Sequence, residues 1–247
     1  MARARNNKQR SNNKQRSSTA QRSGKKRPAD GRAEPPNVDP MIGEIGTLRR
    51  RADREVVLCY PNTYRVAGAS LGLQVVYRAL NSRDAVSCQR AVLEDDAFVV
   101  SEDRPICSLE HGTPLADFDA VLFSIAYELD IPHVAEMLAR AKLPPLAKDR
   151  TDRDVPIIAG GPLTQSNVLP LAPFVDIVVM GEAEEALEDL LDWFEAGTGR
   201  IEMMRLAAET RGFWVPSLHE DAVPDVMAVR GLHIPARGQW YSPDAEF

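Results

Sequence analysis

Short, uniformly apolar runs followed by turn residues recur through the middle of this sequence and restrict the folds open to it. A run of this kind, without polar alternation, is typical of a strand buried on both faces. The strongest runs cover residues 56–60, 120–125, 155–159 and 175–180, and a weaker one covers residues 85–93. These runs predict five strands.

Amphipathic helices are predicted between these strands. Residues 70–80 place Leu71, Val75, Val76 and Leu80 on one face, with Ser70 as a helix cap. Residues 132–142 begin with proline in the first turn, and residues 184–194 carry an apolar stripe. Strands that alternate with helices imply right-handed crossovers and a parallel sheet. The predicted fold is α/β, a flavodoxin-like doubly wound parallel sheet with strand order 2-1-3-4-5.

Ligands of such a sheet bind beyond the carboxyl ends of the strands, at the switch between the first and third strands. That rule selects the loops at residues 61–70, 126–131, 160–167 and 181–184. Glycine directly after a strand lets a ligand approach the backbone closely, or simply makes a tight turn. Both interpretations are open for the Gly160–Gly161 pair. In the last loop we expect Gly181 to matter as a point of close approach, and Glu182 either lines a site or caps the following helix.

No catalytic set is recognisable in these loops. Glu128 and Asp130 are candidates for an acid–base pair, but no histidine or nucleophile is spaced to work with them. The histidines, including His133 in a predicted first helical turn, are expected to have surface or capping roles. The sequence has neither G-x-x-x-x-G-K-[ST] nor G-x-G-x-x-G after a strand. The loops are therefore predicted to bind a ligand rather than to carry out chemistry.

The charge is divided unevenly along the chain. Residues 1–33 carry eleven Lys or Arg and one acid, a balance of +10, so the remaining residues carry −16 of the overall −6. A polar repeat, NNKQRS, occurs twice in this arm, which is predicted to be disordered. The arm either contacts nucleic acid or an acidic partner through counterion release, or it is a solubilising tail.

Compartment and redox chemistry follow from what the sequence lacks. No run approaches eighteen apolar residues, and the basic N-terminus has no apolar stretch of a secretory signal. The three cysteines are widely spaced and form no C-x-x-C, which argues against a disulfide framework, a zinc site or an iron–sulfur cluster. We expect a cytoplasmic protein that does not enter the membrane.

A series of short segments within residues 54–218 carries a family resemblance. The segments are LCYPNTYRV at 58–66, SLGLQ at 70–74, FDA at 118–120, FSIAYEL at 123–129, IAGGP at 158–162, PLAPFVD at 170–176, GEAEE at 181–185 and RGFWVPS at 211–217. In order and spacing they resemble the cobalamin-binding N-terminal domain of cobalamin-dependent radical S-adenosylmethionine proteins.

The resemblance implies a domain that packs against the corrin and houses the nucleotide tail of cobalamin. The implied tail pocket uses the backbone at Gly160, Gly161 and Gly181, with Pro162 and Glu182 beside it. Its polar or stacking lining is implied to be Thr63, Tyr64, Ser124, Tyr127 and Thr164. No catalytic and no metal-ligating residue is expected in this domain.

Two motifs of the wider family are missing. The C-x-x-x-C-x-x-C that binds a [4Fe–4S] cluster is absent from the sequence, and so is the D-x-H-x-x-G that ligates cobalt by histidine. We therefore expect no iron–sulfur cluster and no catalysis by this chain alone. The hypothesis is a cobalamin-binding domain from a split or truncated enzyme, completed by a separate radical S-adenosylmethionine protein.

Two alternatives and a division of the chain complete the expectations. The domain could have lost its cofactor and serve as a protein-interaction module, or the protein could associate with nucleic acid through its arm. The expected division is an arm and linker at residues 1–40, a cobalamin-binding-type domain at 54–197, and a C-terminal extension at 198–247 that begins the link to a radical domain.

Overall fold

The computed structural model describes residue 41 and residues 43–94, 105–219 and 222–226. The basic arm, and with it the prediction of disorder, lies outside these residues. A six-stranded sheet forms the centre of the described part of the chain, in the order β2-β1-β3-β4-β5-β6. Its strands are β1 (Arg54–Thr63), β2 (Val86–Leu93), β3 (Ala120–Ser124), β4 (Ile157–Gly160), β5 (Ile177–Val179) and β6 (Phe213–Trp214). The first five are parallel, in the predicted order, and β6 adds an antiparallel edge.

Helices cover both faces of the sheet, as a doubly wound fold requires. They are α1 (Tyr64–Ala69), α2 (Leu71–Leu80), α3 (Ile131–Arg140), α4 (Glu184–Glu195), α5 (Arg200–Glu209) and α6 (Pro216–His219). Alternate residues of each strand enter opposite cores. Val56 and Leu58 pack with α2, α4 and α5, whereas Val57 and Cys59 pack with α3. Within the described residues, no helix is long and apolar enough to cross a lipid bilayer.

The elements differ from the sequence expectations mainly at the end of β1. The sequence predicts that Pro61 and Asn62 stop this strand, but it continues to Thr63 across a register shift after Tyr60. A proline has no N–H for the ladder, and a register irregularity is a place where a sheet tolerates it. The loop predicted at 61–70 contains the short helix α1. Ser70 caps α2 as predicted, because its hydroxyl accepts a hydrogen bond from the backbone N–H of Leu73 at 3.3 Å.

A buried ion group fixes the amino ends of β4 and β5. One oxygen of Asp176 accepts hydrogen bonds from Arg150 at 2.9 Å and from Arg200 at 2.8 Å, and the other accepts from the N–H of Ile157 at 2.8 Å. All three charged side chains are buried. Burial lowers the pKa of Arg150, and the charge of Asp176 opposes that effect. The group joins α5 to the sheet at the edge opposite the predicted ligand loops.

A second buried ion group, centred on Arg90 of the edge strand β2, holds the segment that precedes β1 against this strand. Arg90 of β2 donates to Glu110 at 2.6 Å and to Glu44 at 2.7 Å, and its guanidinium lies 5.0 Å from the centre of the Tyr77 ring. The hydroxyl of Tyr64 also donates to Glu44. The backbone N–H of Leu109 donates to the carbonyl of Arg90 at 2.7 Å, so a loop covers part of this edge. Covering an edge strand protects its unpaired backbone groups.

Candidate functional site

A cavity of about 310 Å³ opens between the sheet and helices α2 and α4, at the carboxyl ends of the strands. Its volume lies at the lower end of the range for small-molecule sites. The sheet contributes Leu58, Leu122, Phe123, Ser124, Ile158, Ala159, Gly160 and Val179 to the lining. The loops contribute Gly161, Pro162, Gln165, Gly181, Glu182 and Ala183, and the helices contribute Leu71, Gly72, Val75, Val76, Glu184, Leu187 and Leu190.

The lining is apolar, with acidic groups and no basic ones. Its charged side chains are those of Glu182 and Glu184, and no Lys, Arg or His among the described residues lines the cavity. Helix α4, which contains Glu184, carries further acidic residues. Burial raises the pKa of Asp189, and the neighbouring Asp192 and Glu188 raise it further. An unpaired phosphate would therefore meet repulsion here. The cavity is suited to a neutral or cationic group with a large apolar surface.

The structure brings most of the predicted site residues to this cavity. Ser124, Gly160, Gly161, Pro162, Gly181 and Glu182 line it. Thr63, Tyr64, Tyr127 and Thr164 do not. Tyr64 is buried in α1 and turns its hydroxyl to Glu44, whereas Tyr127 is 64% exposed at the sheet edge.

Thr164 lies beneath the cavity wall and joins two of its loops. Its buried hydroxyl donates to the carbonyl of Gly161 at 2.8 Å and accepts from the N–H of Gly181 at 3.0 Å. The loop after β4 is therefore tied to the loop after β5. A hydroxyl is the smallest side-chain group that can make both bonds, so Thr164 positions the glycines rather than facing the cavity.

The glycines of the cavity have different reasons for being glycine. A Cβ at Gly161, where φ is +105°, would lie 2.7 Å from the carbonyl oxygen of Ile125 and 2.9 Å from its nitrogen. The missing side chain at Gly161 thus lets two backbone segments of this chain approach. A Cβ at Gly72, in the first turn of α2, would have no atom within 4 Å. Gly72 therefore lines the cavity at a point where a side chain would meet open space.

A second group of polar residues lies at the switch between β1 and β3. The side-chain amide of Asn62 donates to Asp130 at 3.1 Å, and the ring Nδ1 of His133 lies 3.0 Å from the carbonyl oxygen of Pro61. Asp130 is buried, and burial raises its pKa although Asn62 and the charge of His133 lower it. Together the two contacts join the end of β1 to the segment that leads from β3 into α3.

Glu128, the other residue of the predicted acid–base pair, is hydrogen-bonded to Ser166 and not to Asp130. Its carboxylate accepts a hydrogen bond from the hydroxyl of Ser166 at 2.9 Å and is exposed. Its own backbone N–H and the Ser166 hydroxyl lower the pKa of Glu128. Glu128 thus links the loops after β3 and β4, as a hydrogen-bond acceptor.

Apolar side chains are exposed around the same edge of the sheet. The exposed fractions are 85% for Leu129, 64% for Tyr127, 48% for Leu169 and 38% for Leu71. Tyr127 and Leu129 directly follow β3, Leu71 begins α2, and Leu169 lies midway along the connection from β4 to β5. We name these four residues the apolar rim. An apolar rim beside an apolar cavity is typical of a binding surface.

Sequence reasoning misses the helical half of the cavity. The apolar pattern places Val75 and Val76 of α2 on a core-facing stripe, and Leu187 of α4 likewise. The stripe of α4 does face the sheet, but the face predicted for α2 is largely wrong: α2 buries Leu73, Gln74, Tyr77 and Leu80. Val75 and Val76 are only half-buried because they line the cavity, and Leu71 is 38% exposed. A stripe has the same sequence pattern whether or not it is fully packed, so only Gly72, a small residue on the apolar side of a first turn, could have indicated the cavity.

The structure is a doubly wound α/β domain with a cavity, the candidate ligand site, at the carboxyl edge of its sheet. The family model for the N-terminal region of radical SAM (S-adenosylmethionine) proteins matches residues 72–216, more than half of the chain. The chain belongs to this family. Curated proteins, by contrast, include no match to this sequence. The matched range contains α4, nearly all of α2 and the loops after β4 and β5 that line the cavity.

Proposed function

We propose that this domain binds cobalamin, with the uncharged benzimidazole end of its nucleotide tail in the cavity between α2 and α4 and the phosphate of the tail outside the cavity. The single observation that carries the proposal is an apolar cavity of about 310 Å³ at the carboxyl edge of a doubly wound sheet, lined by no Lys, Arg or His of the described residues. The tail of cobalamin ends in a flat, largely apolar benzimidazole base. When bound, cobalamin supplies the group-transfer and radical chemistry that side chains lack.

The residues present fit such a tail. Gly72 and Gly160 lie in the cavity wall without side chains, and a Cβ at Gly72 would extend into open space. The hydroxyl of Ser124 and the amide of Gln165 supply hydrogen-bonding groups among apolar neighbours. The apolar rim offers contact for the flat face of a macrocycle outside the cavity. The fit would be poor for a nucleoside triphosphate, because no basic side chain of the described residues lines the cavity to balance its charge.

The radical chemistry of the family requires a cluster that this sequence does not provide. The chain has three cysteines, Cys59, Cys88 and Cys107, and Cys59 and Cys88 are buried within strands. Burial raises the pKa of both strand cysteines, which disfavours the thiolate that binds iron. We propose that a separate radical S-adenosylmethionine protein supplies the cluster and works with this domain.

The test compares cobalamin with cobinamide, which lacks the nucleotide tail. The purified chain is titrated with each corrinoid, and binding is followed by equilibrium dialysis and visible absorbance. Replacing Gly72→Phe fills the cavity from an exposed position where no neighbour is displaced. We expect cobalamin affinity to fall at least about tenfold, which corresponds to roughly 1.4 kcal/mol, and cobinamide affinity to stay unchanged.

Gly199→Phe is the matched control, because Gly199 is exposed at the start of α5 and a Cβ there would also have no atom within 4 Å. It should leave both affinities unchanged. Gly161 is unsuitable for this purpose, because any side chain there collides with the backbone of Ile125. Equal cobalamin affinity in wild type and Gly72→Phe, with both proteins folded, would refute the tail pocket.

A protein-interaction module is the second candidate, and the apolar rim favours it. Leu129 and Tyr127 expose more than half of their surface at the sheet edge. A domain that has lost its cofactor could present this surface to a protein instead. Absence of any corrinoid binding by the wild-type chain would favour this candidate over the first.

A further inference from the structure

The inner floor of the cavity is formed by aliphatic side chains of the sheet. Alternate residues of a strand face the same side of a sheet, and Leu58, Leu122, Ile158 and Val179 share the side that faces α2 and α4. Leu58 pairs with Leu122 in the ladder, and Leu122 pairs with Ile158. Each of the four lies on an internal strand, so its backbone hydrogen-bonding groups are taken up by the sheet. A molecule that reaches this floor meets the C–H groups of these side chains.

Polar side chains lie only toward the outer part of the lining. The helices add aliphatic walls, which consist of Val75, Val76, Leu187 and Leu190. Ser124 is the last residue of β3, and Gln165, Glu182 and Glu184 come after β4 and β5, at the carboxyl edge of the sheet. The cavity therefore has an apolar inner part and a polar outer part.

This division matters for the heterocycle at the end of a corrinoid tail, which can be a benzimidazole or a purine. Both are joined to the ribose through their five-membered ring. With the ribose and the phosphate outside the cavity, the six-membered ring enters first and reaches the aliphatic floor. In dimethylbenzimidazole this ring carries only C–H and methyl groups. In adenine it contains ring nitrogens and carries an amino group, all of which bond to water in solution.

We propose that the cavity selects the tail heterocycle of the cofactor, accepting a benzimidazole with apolar substituents and rejecting a purine. The inference rests on the proposed function and goes beyond it, because cobalamin binding alone does not require selection. A purine would bring its nitrogens and its amino group to Leu122, Ile158 and Val179, where these groups lose water and gain no hydrogen bond. The methyl groups of dimethylbenzimidazole gain contact with the same side chains.

The test compares corrinoids that differ only in the tail: cobalamin, its analogue with adenine as the heterocycle, and cobinamide. Equilibrium dialysis against the purified chain gives each affinity. The affinities of the first two are divided by the fraction of free corrinoid whose heterocycle is detached from cobalt, which the visible spectrum measures. We expect cobalamin to bind at least about tenfold more tightly than the adenine analogue. The adenine analogue should bind about as weakly as cobinamide, because its heterocycle stays outside the cavity.

A substitution in the floor tests which side chains make the selection. Val179→Thr gives the floor a hydroxyl with almost no change in volume. It should raise the affinity for the adenine analogue, relative to cobalamin, at least about threefold. Val178→Thr is the matched control, because Val178 precedes Val179 in β5 but belongs to the opposite core and does not line the cavity. The control should leave the ratio of the two affinities unchanged.

The outcomes separate the inference from the proposed function, and the wild-type comparison decides the selection even if neither variant folds. Equal affinities for cobalamin and the adenine analogue, both tighter than cobinamide, overturn the selection and leave the tail pocket standing. Tighter binding of the adenine analogue also overturns the selection. Equal affinities for all the corrinoids, or no binding of any, overturn the tail pocket and the selection together. A ratio unchanged in folded Val179→Thr overturns the role of the floor.

Discussion

Asp130 is a buried carboxyl with one hydrogen-bonded oxygen and one oxygen that has no partner among the described residues. Burial is the largest influence on its pKa and raises it above the ordinary value. A carboxyl whose folded-state pKa is raised contributes stability that is complete below its unfolded pKa of about 3.9 and is lost as the pH rises through the folded pKa. Ionised Asp130 therefore costs stability at neutral pH.

Replacing Asp130→Asn should remove this pH dependence. The asparagine carbonyl can still accept from the Asn62 amide, and no charge is buried at any pH. We expect the free energy of unfolding of the variant, relative to wild type, to become more favourable as the pH is raised from about 4 to about 7. Urea unfolding at each pH measures it, with Asp152→Asn at an exposed turn as the control. A difference between variant and wild type that stays constant with pH would contradict the prediction.

At the scale of elements, Arg90 joins the edge strand β2 to two other segments of the chain. It is buried between Glu44, from the segment before β1, and Glu110, from the loop before β3. The guanidinium thus compensates two buried carboxylates, and its cationic form is favoured by both. A charge group of this kind is costly to break, because removal of one member leaves the others buried without compensation.

Arg90→Met is expected to lower the free energy of unfolding by about 3–5 kcal/mol. The matched control is Arg83→Met, because Arg83 also pairs with several carboxylates, those of Glu188, Asp192 and Glu195, but at the surface. Solvent screens such pairs, so the control should cost much less. Urea unfolding of both variants at neutral pH compares them. If Arg90→Met cost no more than Arg83→Met, the segment before β1 would not depend on the buried group.

The elements also show how far the sequence can predict this fold. Strands β1, β3, β4 and β5 are predictable because each is an apolar run buried on both faces, and Ser70 is recognisable as the cap of α2. The strand β6 escapes prediction because Phe213 and Trp214 make only two residues of ladder, too few for a pattern. Helix α1 escapes it because its six residues, Tyr64–Ala69, include a glycine and have no cap side chain.

The candidate site is predictable only on its loop side. Glycines after strands mark the ends of β4 and β5 from sequence alone, and six of the ten predicted residues do line the cavity. The others lie elsewhere because the direction of a side chain depends on tertiary packing. Tyr64 turns toward Glu44, a residue far away in sequence, and Thr164 turns under the loop to reach Gly181. Whether any of these residues contacts a cofactor stays a prediction.

At the scale of the whole molecule, the two edges of the sheet are built for different tasks. The amino edge is closed by the buried charges of Asp176, Arg150 and Arg200. The carboxyl edge instead has loops joined to each other by single hydrogen bonds, an apolar cavity and the apolar rim. The closed edge fixes the strands, and the positions of the loops at the open edge follow from those strands. A rigid scaffold of this kind with a ligand site on its loops is the general design of α/β binding domains.

The opposite charges of the arm and of the rest of the chain lead to the last prediction. Residues 34–247 carry −16 and should repel nucleic acid, whereas residues 1–33 carry +10 without any aromatic residue for base stacking. We expect weak binding of single-stranded RNA with little dependence on RNA sequence. For each tenfold rise in salt, the logarithm of the association constant should fall by about 0.7 per phosphate contact. Fluorescence anisotropy at about 50 and about 200 mM salt would measure the slope.

Deleting residues 1–39 should abolish RNA binding and leave cobalamin affinity unchanged, because the cavity is formed by residues 58–190. Replacing Lys25, Lys26 and Arg27 by glutamine should make the slope shallower, since fewer cationic side chains then displace counterions from the RNA. RNA binding that survives the deletion would place the nucleic-acid contact on the folded domain and contradict the role of the arm.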